Sequence, residues 1–213
     1  MQLCSCPAAA ALTTIPAANC AESFGQIQKV AFQRLTIADG TKNSFTTGES
    51  TGIDKLAAWT AKMALTTGGK IVISPYIQAP TVEPGAARTF GGGNETLGGV
   101  EMVIGREPSA FSAVIRSCPQ SVIKALKALQ CEAQGENLGV FLFDENGAIE
   151  CIKSGSTDYL PIPIRSLFIG DKSHGGLEAP DSNPISFSFL PNYSDDLTIQ
   201  VPTNFNPLTD LIP

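Results

Sequence analysis

The alternation of apolar and polar positions predicts a chain built mainly from short β-strands. The segments FGQIQKVAFQRLTI (24–37) and KIVISPYI (70–77) are rich in β-branched and aromatic residues, which favour strands. The clearest hairpin is GVFLFD-ENG-AIECIK (139–153), because Asn-Gly between two apolar runs is a strong turn signal. Further strands are predicted at 101–105, 162–170, 185–190 and 197–201.

Two segments have the spacing of apolar residues that is typical of helices. The first is 53–65 (IDKLAAWTAKMAL), and the glycine pair that follows at 68–69 supplies a C-terminal stop. The second is predicted to begin at SCPQ, with Ser117 as N-cap, a glutamine three residues later and a proline in the first turn, and to end at Gly135. Its apolar stripe consists of Val122, Ile123, Leu126 and Leu129.

The order of these elements predicts one folded domain with extensions. Residues 1–21 lack periodicity and are expected to form an extended N-terminal arm that docks on a neighbour. Residues 22–203 form a single β-rich domain, with a long Gly- and Pro-containing loop at 79–99 and a C-terminal tail at 204–213. About seven strands and two helices predict an α+β fold, mainly antiparallel, in which a sandwich- or barrel-forming β-sheet is flanked by one or two helices.

The composition favours a chain that hides part of its surface against partners. Charged residues make up 16% of the sequence, below the roughly 25% of ordinary soluble domains, while hydrophobic residues make up 43%. The net charge of −6 argues against tight binding of DNA or RNA, which relies on Lys and Arg. An acidic surface can nevertheless let DNA slide past without sticking.

The ends and the cysteines give no sign of secretion, membrane insertion or a disulfide scaffold. No signal peptide and no bilayer-spanning segment are expected, so synthesis in the cytoplasm with reduced thiols is the default. A zinc site at the N-terminal pair would lack a second close pair, which leaves inert thiols or a disulfide between arms as alternatives. The six cysteines are Cys4, Cys6, Cys20, Cys118, Cys131 and Cys151.

No catalytic, cofactor-binding or metal-binding residues are predicted. The only histidine, His174, lies in a polar loop without a nucleophile motif, so we interpret it as a solvated side chain. The glycine runs 91–93 and 98–99 lack the Lys-Ser/Thr of a phosphate-binding loop and are interpreted as hinges. The carboxylates around the 139–153 hairpin and Asp195-Asp196 are explained by turn chemistry without calcium.

Both ends of the chain resemble a known family. The cysteine-containing arm running into FGQIQKVAFQRL, the loop GDKSHGGLEAPDSNPISFSF and the segment NYSDDLTIQVPTNFNPLTDLI resemble major tail (tail tube) proteins of tailed phages and prophages of Bacteroidetes. The resemblance implies a β-sandwich flanked by a helix, six subunits per ring, and rings stacked through loops and arms. The six cysteines depart from what a tube requires.

The resemblance implies a non-enzymatic, self-assembling subunit of a virion tail, made in the cytoplasm of the bacterial host. Its partners would be further copies of itself and other phage tail proteins, with DNA only as passing cargo and no membrane. Two alternatives remain open. One is another virion component, such as a head-decoration, connector or tail-completion protein. The other is a ligand- or carbohydrate-binding β-sandwich module, which would need exposed aromatic residues.

Overall fold

A computed structural model describes residues 14–17, 23–48 and 51–212, and it confirms a mainly antiparallel α+β fold. The strands are β1 Ile27–Arg34, β2 Ile71–Ile73, β3 Gln78–Glu83, β4 Ala87–Phe90, β5 Met102–Arg106, β6 Ser109–Arg116, β7 Leu138–Asp144, β8 Ile149–Ser154, β9 Asp158–Leu160, β10 Ile162–Ile169, β11 Ser182–Phe189 and β12 Leu197–Gln200. The helices are α1 Leu56–Ala64, α2 Gln120–Ala128, α3 Gln130–Gln134 and α4 Pro207–Asp210, with 3₁₀ turns at Leu97–Gly99 and Tyr193–Asp196.

The main sheet is organised around β7. Along one edge β7 pairs with β1, whose other edge carries β2. Along the opposite edge the first half of β7 pairs with β10 and the second half with β8. The β10 branch continues through β11 and β6 to β3, and the N–H of Ile77 donates to the carbonyl of Gln28 in β1 (2.9 Å). The sheet therefore curls back toward its first strand.

Both faces of β7 are buried, which explains why the strand is one uninterrupted apolar run. Leu138, Val140 and Leu142 face a first core, which the curled sheet encloses and α2 and α3 complete. Phe141 and Phe143 point the opposite way, into a second core beneath α1. Alternate side chains of a strand leave on opposite faces, so one strand can serve two cores.

The C-terminal segment packs onto the domain. Phe205 and Leu211 are buried in the second core. The ammonium of Lys29, a residue only 4% exposed, donates to the carbonyls of Leu208 (2.6 Å) and Leu211 (3.4 Å) and lies 4.4 Å from the ring centroid of Tyr76. Burial lowers the pKa of Lys29 from its ordinary value. Residues 204–212 are thus held by apolar burial and by a cation that satisfies two backbone carbonyls.

The predicted Asn-Gly hairpin is confirmed, and a buried carboxylate holds its turn. Asp144 Oδ1 accepts hydrogen bonds from the N–H groups of Asn146 (2.9 Å) and Ala148 (2.7 Å). Asp144 Oδ2 accepts from the N–H of Gly25 (3.0 Å), which ties the entry of β1 to this turn. Gly147 has φ 80°, a backbone angle that glycine adopts without strain.

Replacing Asp144 with alanine is expected to lower the free energy of unfolding by about 2–4 kcal/mol, because three partly buried N–H donors lose a charged acceptor. Urea denaturation followed by circular dichroism measures this loss. The neighbouring exposed residue offers a control, since Glu145→Ala should change stability by less than about 0.5 kcal/mol. Equal stabilities of the two variants would contradict the assigned role of Asp144.

The segment 79–99, predicted as an irregular loop, instead contains β3, β4 and a 3₁₀ turn. Its prolines and glycines suggested a loop, but they stand where strands tolerate them. Pro80 lies in β3 where the register with β6 shifts between Gln78 and Thr81, and proline is tolerated at such bulges. Pro84 and Gly85 form the bend between β3 and β4.

The predicted start of the second helix is also wrong. Ser117 has φ 49°, and its N–H donates to the carbonyl of Asp181 (2.9 Å), so it still belongs to the end of the sheet. The helix begins after Pro119, whose carbonyl accepts from Val122 (3.1 Å), and no side chain caps it. The arm predicted at 1–21 lies outside the described residues except for 14–17.

Candidate functional site

The side chains considered for catalysis do not assemble into a site in the part of the chain that the structure describes. His174 has a side chain that is 77% exposed, and its Nδ1 lies 3.2 Å from Asp181 Oδ1. Asp195 and Asp196 are exposed on a 3₁₀ turn. Asp144, considered for calcium, accepts hydrogen bonds from two backbone N–H groups of the hairpin turn and from that of Gly25.

Three of the cysteines lie in the described residues, and they are free thiols far apart in the chain. Cys118 is half-buried, Cys131 is exposed and Cys151 is buried. Within residues 14–17, 23–48 and 51–212, no group of three or more His, Cys, Asp or Glu side chains could hold a metal ion. The cysteine pair proposed for zinc or an inter-arm disulfide, with Cys20, falls outside these residues.

Cys151 is expected to resist alkylation in the folded protein. Burial, with the nearby Glu150 carboxylate, raises its pKa to about 12, so almost no thiolate exists near neutral pH. Brief iodoacetamide treatment at about pH 8 should modify exposed Cys131 at least about 100-fold faster than Cys151, as measured by peptide mapping. In urea the two rates should converge. Rapid labelling of Cys151 in the native state would contradict its burial.

The most unusual surface is a hairpin that projects from the sheet. The chain leaves the main sheet after β3, runs through β4 and β5, and re-enters the sheet at β6, which pairs with β3. Among the described strands, β4 and β5 pair only with each other. At the bend a Cβ added to Gly85 would lie 1.9 Å from the carbonyl oxygen of Glu107, so the two backbones touch there. We call residues 87–106 the projecting hairpin.

The tip of the projecting hairpin is a built turn. Gly91, Gly92 and Gly93 have φ values of 93°, 105° and 56°, which other residues adopt only with strain. Thr96 Oγ1 accepts from the N–H of Gly92 (3.2 Å) and donates to the carbonyl of Val100 (2.7 Å). The glycine run, interpreted from the sequence as a hinge, thus forms a closed turn that the two hydrogen bonds of Thr96 hold together.

Both faces of the projecting hairpin are exposed, although it is rich in apolar side chains. All four residues of β4 and four of five in β5 are exposed. Val103 and Ile104 are 69% and 58% exposed. The other large apolar side chains exposed on or beside the hairpin are Val82, Phe90, Val100 and Met102.

Leaving the apolar side chains of such a hairpin exposed to water is unfavourable in free energy. Two paired strands alone are at best marginally stable. Covering the exposed parts of Val103 and Ile104 would contribute on the order of 2–4 kcal/mol. Several large apolar side chains exposed on one element mark a docking site, so the projecting hairpin is the candidate functional surface of this chain.

Sequence reasoning located the strand but missed its exposure. Residues 101–105 were predicted as a strand, and β5 confirms that prediction. The run VEMVIG lacks a polar face, which is also the pattern of a buried strand, so the sequence did not distinguish the two. The glycine-rich segments on its N-terminal side were the one available signal that this strand stands apart.

No family model matches the chain, and no curated protein matches it. Two solved structures match. One is the tail of an empty GTA particle with C6 symmetry, at 12% identity and a TM-score of 0.31, covering 60% of this chain and 82% of that one. The other is the virion of a native gene transfer agent (GTA) particle, at 13% identity and a TM-score of 0.32, covering 59% and 85%. At these scores neither match carries an argument about this chain.

No helix among the described residues has both the length and the apolar character needed to span a membrane.

Proposed function

We propose that this chain is a structural subunit of a phage-like virion tail, which assembles with copies of itself into stacked rings around a DNA conduit. The observation that carries the proposal is the projecting hairpin, a two-stranded element with exposed Phe90, Met102, Val103 and Ile104. A surface of this kind is stabilised when a second molecule covers it. The resemblance to tail tube proteins likewise implies self-association, with rings stacked through loops and arms.

The chemistry of the described residues supports a non-enzymatic role. The single histidine contacts a carboxylate in an exposed loop, and the most deeply buried thiol is held protonated. A carbohydrate-binding module would group aromatic rings on its surface, yet Trp59 is fully buried and the exposed rings of Tyr76, Phe90 and Phe168 belong to three separate segments of the chain. Self-association therefore fits the surface better than substrate or sugar binding.

The charge of the chain fits a conduit. With 20 acidic and 14 basic residues, an assembled tube would repel the phosphate backbone and let DNA pass without adhesion. The proposed partners are further copies in rings of six, other phage tail proteins at the ends of the tube, and DNA as passing cargo. The proposed location is the virion tail, after synthesis in the host cytoplasm.

Negative-stain electron microscopy of the purified chain over a concentration series, with light scattering on the same samples, tests the proposal. Rings or tubes that lengthen with concentration are expected. Particles of one fixed copy number would instead favour a head-decoration, connector or tail-completion protein. A monodisperse monomer at every concentration would contradict self-assembly and favour a binding module.

A further inference from the structure

We infer that a cleft at the base of the projecting hairpin is a carboxylate-binding site, which accepts an acidic side chain from a second copy of this chain. The inference rests on the proposed function, since it names a contact within the assembly. The cleft has a volume of about 250 Å³. We call it the arginine cleft, because its walls include Arg88, Arg106 and Arg165.

The arginine cleft concentrates positive charge in a chain that is otherwise acidic. Three of the five arginines in the sequence line it, although the net charge is −6. Arg88 Nε lies 3.8 Å from Glu107 Oε1, and an Arg165 terminal nitrogen donates to Glu136 Oε2 at 2.9 Å. The Arg106 backbone pairs with Ala87, but its side chain makes no hydrogen bond or ion pair with any residue in 23–48 or 51–212. Its guanidinium is free to bind an anion.

The backbone is irregular at two of the three arginines. The β10–β11 register shifts between Arg165 and Phe168, and Ser166 has φ 55°, so Arg165 and Ser166 both face outward. The β4–β5 register shifts between Arg88 and Thr89. Bulges re-aim side chains, and non-glycine residues at positive φ cost energy that surrounding structure must offset. Two bulges beside one cleft indicate that these side chains are positioned for a contact.

A single carboxylate suits this cleft better than nucleic acid does. Two of the three guanidiniums are paired with glutamates, so the cluster keeps a single positive charge, which one carboxylate neutralises. The forked guanidinium matches the planar carboxylate, and the lining residues Ser166 and Ser188 supply hydroxyl donors. A chain of phosphates carries several negative charges, more than this cluster of three arginines and two glutamates balances.

A second copy of this chain is the partner that the structure favours. The cleft is continuous with the projecting hairpin, since Arg88 and Arg106 belong to β4 and β5. The chain carries 20 acidic side chains, so a neighbouring copy offers abundant exposed carboxylates. Copies of net charge −6 repel one another, and a cationic cleft at the interface offsets part of that repulsion.

Charge reversal at Arg106 tests the inference. Arg106→Glu is expected to weaken self-association at least about tenfold at low salt, because a partner carboxylate would meet a like charge. Arg116→Glu is the matched control, since Arg116 is exposed on β6 outside the cleft and should leave association unchanged. Sedimentation velocity from about 50 to about 500 mM NaCl should show that the two variants converge as salt screens the contact.

The outcomes separate this inference from the proposed function. If the wild-type chain assembles and Arg106→Glu assembles equally well at low salt, the cleft inference is overturned while self-assembly stands. If the wild-type chain never assembles, the proposed function fails first and the inference with it. A titration with a DNA duplex of about 30 base pairs distinguishes the anions. If the wild-type chain binds this DNA, and Arg106→Glu abolishes that binding without changing assembly, the cleft binds phosphate and the carboxylate inference is overturned.

Discussion

Replacing Val103 and Ile104 together with aspartate is expected to abolish assembly while the subunit remains folded. Both side chains are more than half exposed, so the isolated subunit loses little packing. In an assembly they would be covered, and two buried charges would replace two apolar contacts. The association constant should fall at least about 100-fold, which corresponds to about 2.7 kcal/mol. Light scattering against concentration measures the loss, and circular dichroism verifies the fold.

A matched pair of substitutions controls for added charge and lost apolar surface. Leu177 is fully exposed and Val201 is 65% exposed, and both lie outside the projecting hairpin. Leu177→Asp with Val201→Asp is therefore expected to assemble at concentrations close to those of the wild type. If both double variants assembled normally, the projecting hairpin would not be the docking surface. Loss of assembly in both would mean that added charge, and not the hairpin, decides the result.

Replacing Trp59 with alanine is expected to cost about 3–5 kcal/mol of stability, the largest effect of any single substitution we predict. The side chain is fully buried, and its ring centroid lies 4.5 Å from that of Phe45 and 5.2 Å from that of Phe141. Its Nε1–H donates to the carbonyl of Ile53 at 2.7 Å. Urea denaturation followed by circular dichroism measures the change.

A phenylalanine at the same position separates the ring contacts from the hydrogen bond. Trp59→Phe keeps an aromatic ring among its neighbours but leaves the Ile53 carbonyl without its donor and some space unfilled. We expect a loss of about 1–3 kcal/mol, smaller than for alanine. If Trp59→Ala lost less than about 1 kcal/mol, the second core would not depend on this residue.

The sequence predicted correctly those elements whose turn residues and apolar runs match the structure that forms. The β7–β8 hairpin was predictable because Asn146-Gly147 fixes the turn and both strands are strongly apolar. By contrast, β6 was not predicted, although its burial alternates along SAFSAVIR. Its outward positions hold Ala110, Ser112, Val114 and Arg116, and only the last differs clearly in polarity from the inward ones. Burial alternates regularly along the strand, but the difference in polarity between its two faces is too small to identify the strand from sequence.

Elements that depend on distant partners were the ones mispredicted. Ser117 matches a helix N-cap, yet its N–H is bonded to Asp181 across the sheet, and that long-range contact overrides the local motif. The exposed strand β5 has the composition of a buried strand, because sequence records what a side chain is and not what covers it. The arginine cleft unites residues from β4, β5 and β10, which no local pattern joins.

The most direct test of the account is hydrogen–deuterium exchange of the projecting hairpin in dilute and in assembled protein. The account predicts that amides of residues 87–106 exchange rapidly in the dilute subunit and at least about tenfold more slowly in assemblies. Amides of β7, buried on both faces, should be protected equally in both states. Assemblies in which residues 87–106 exchange as fast as in the dilute subunit would contradict the claim that the hairpin joins the subunits.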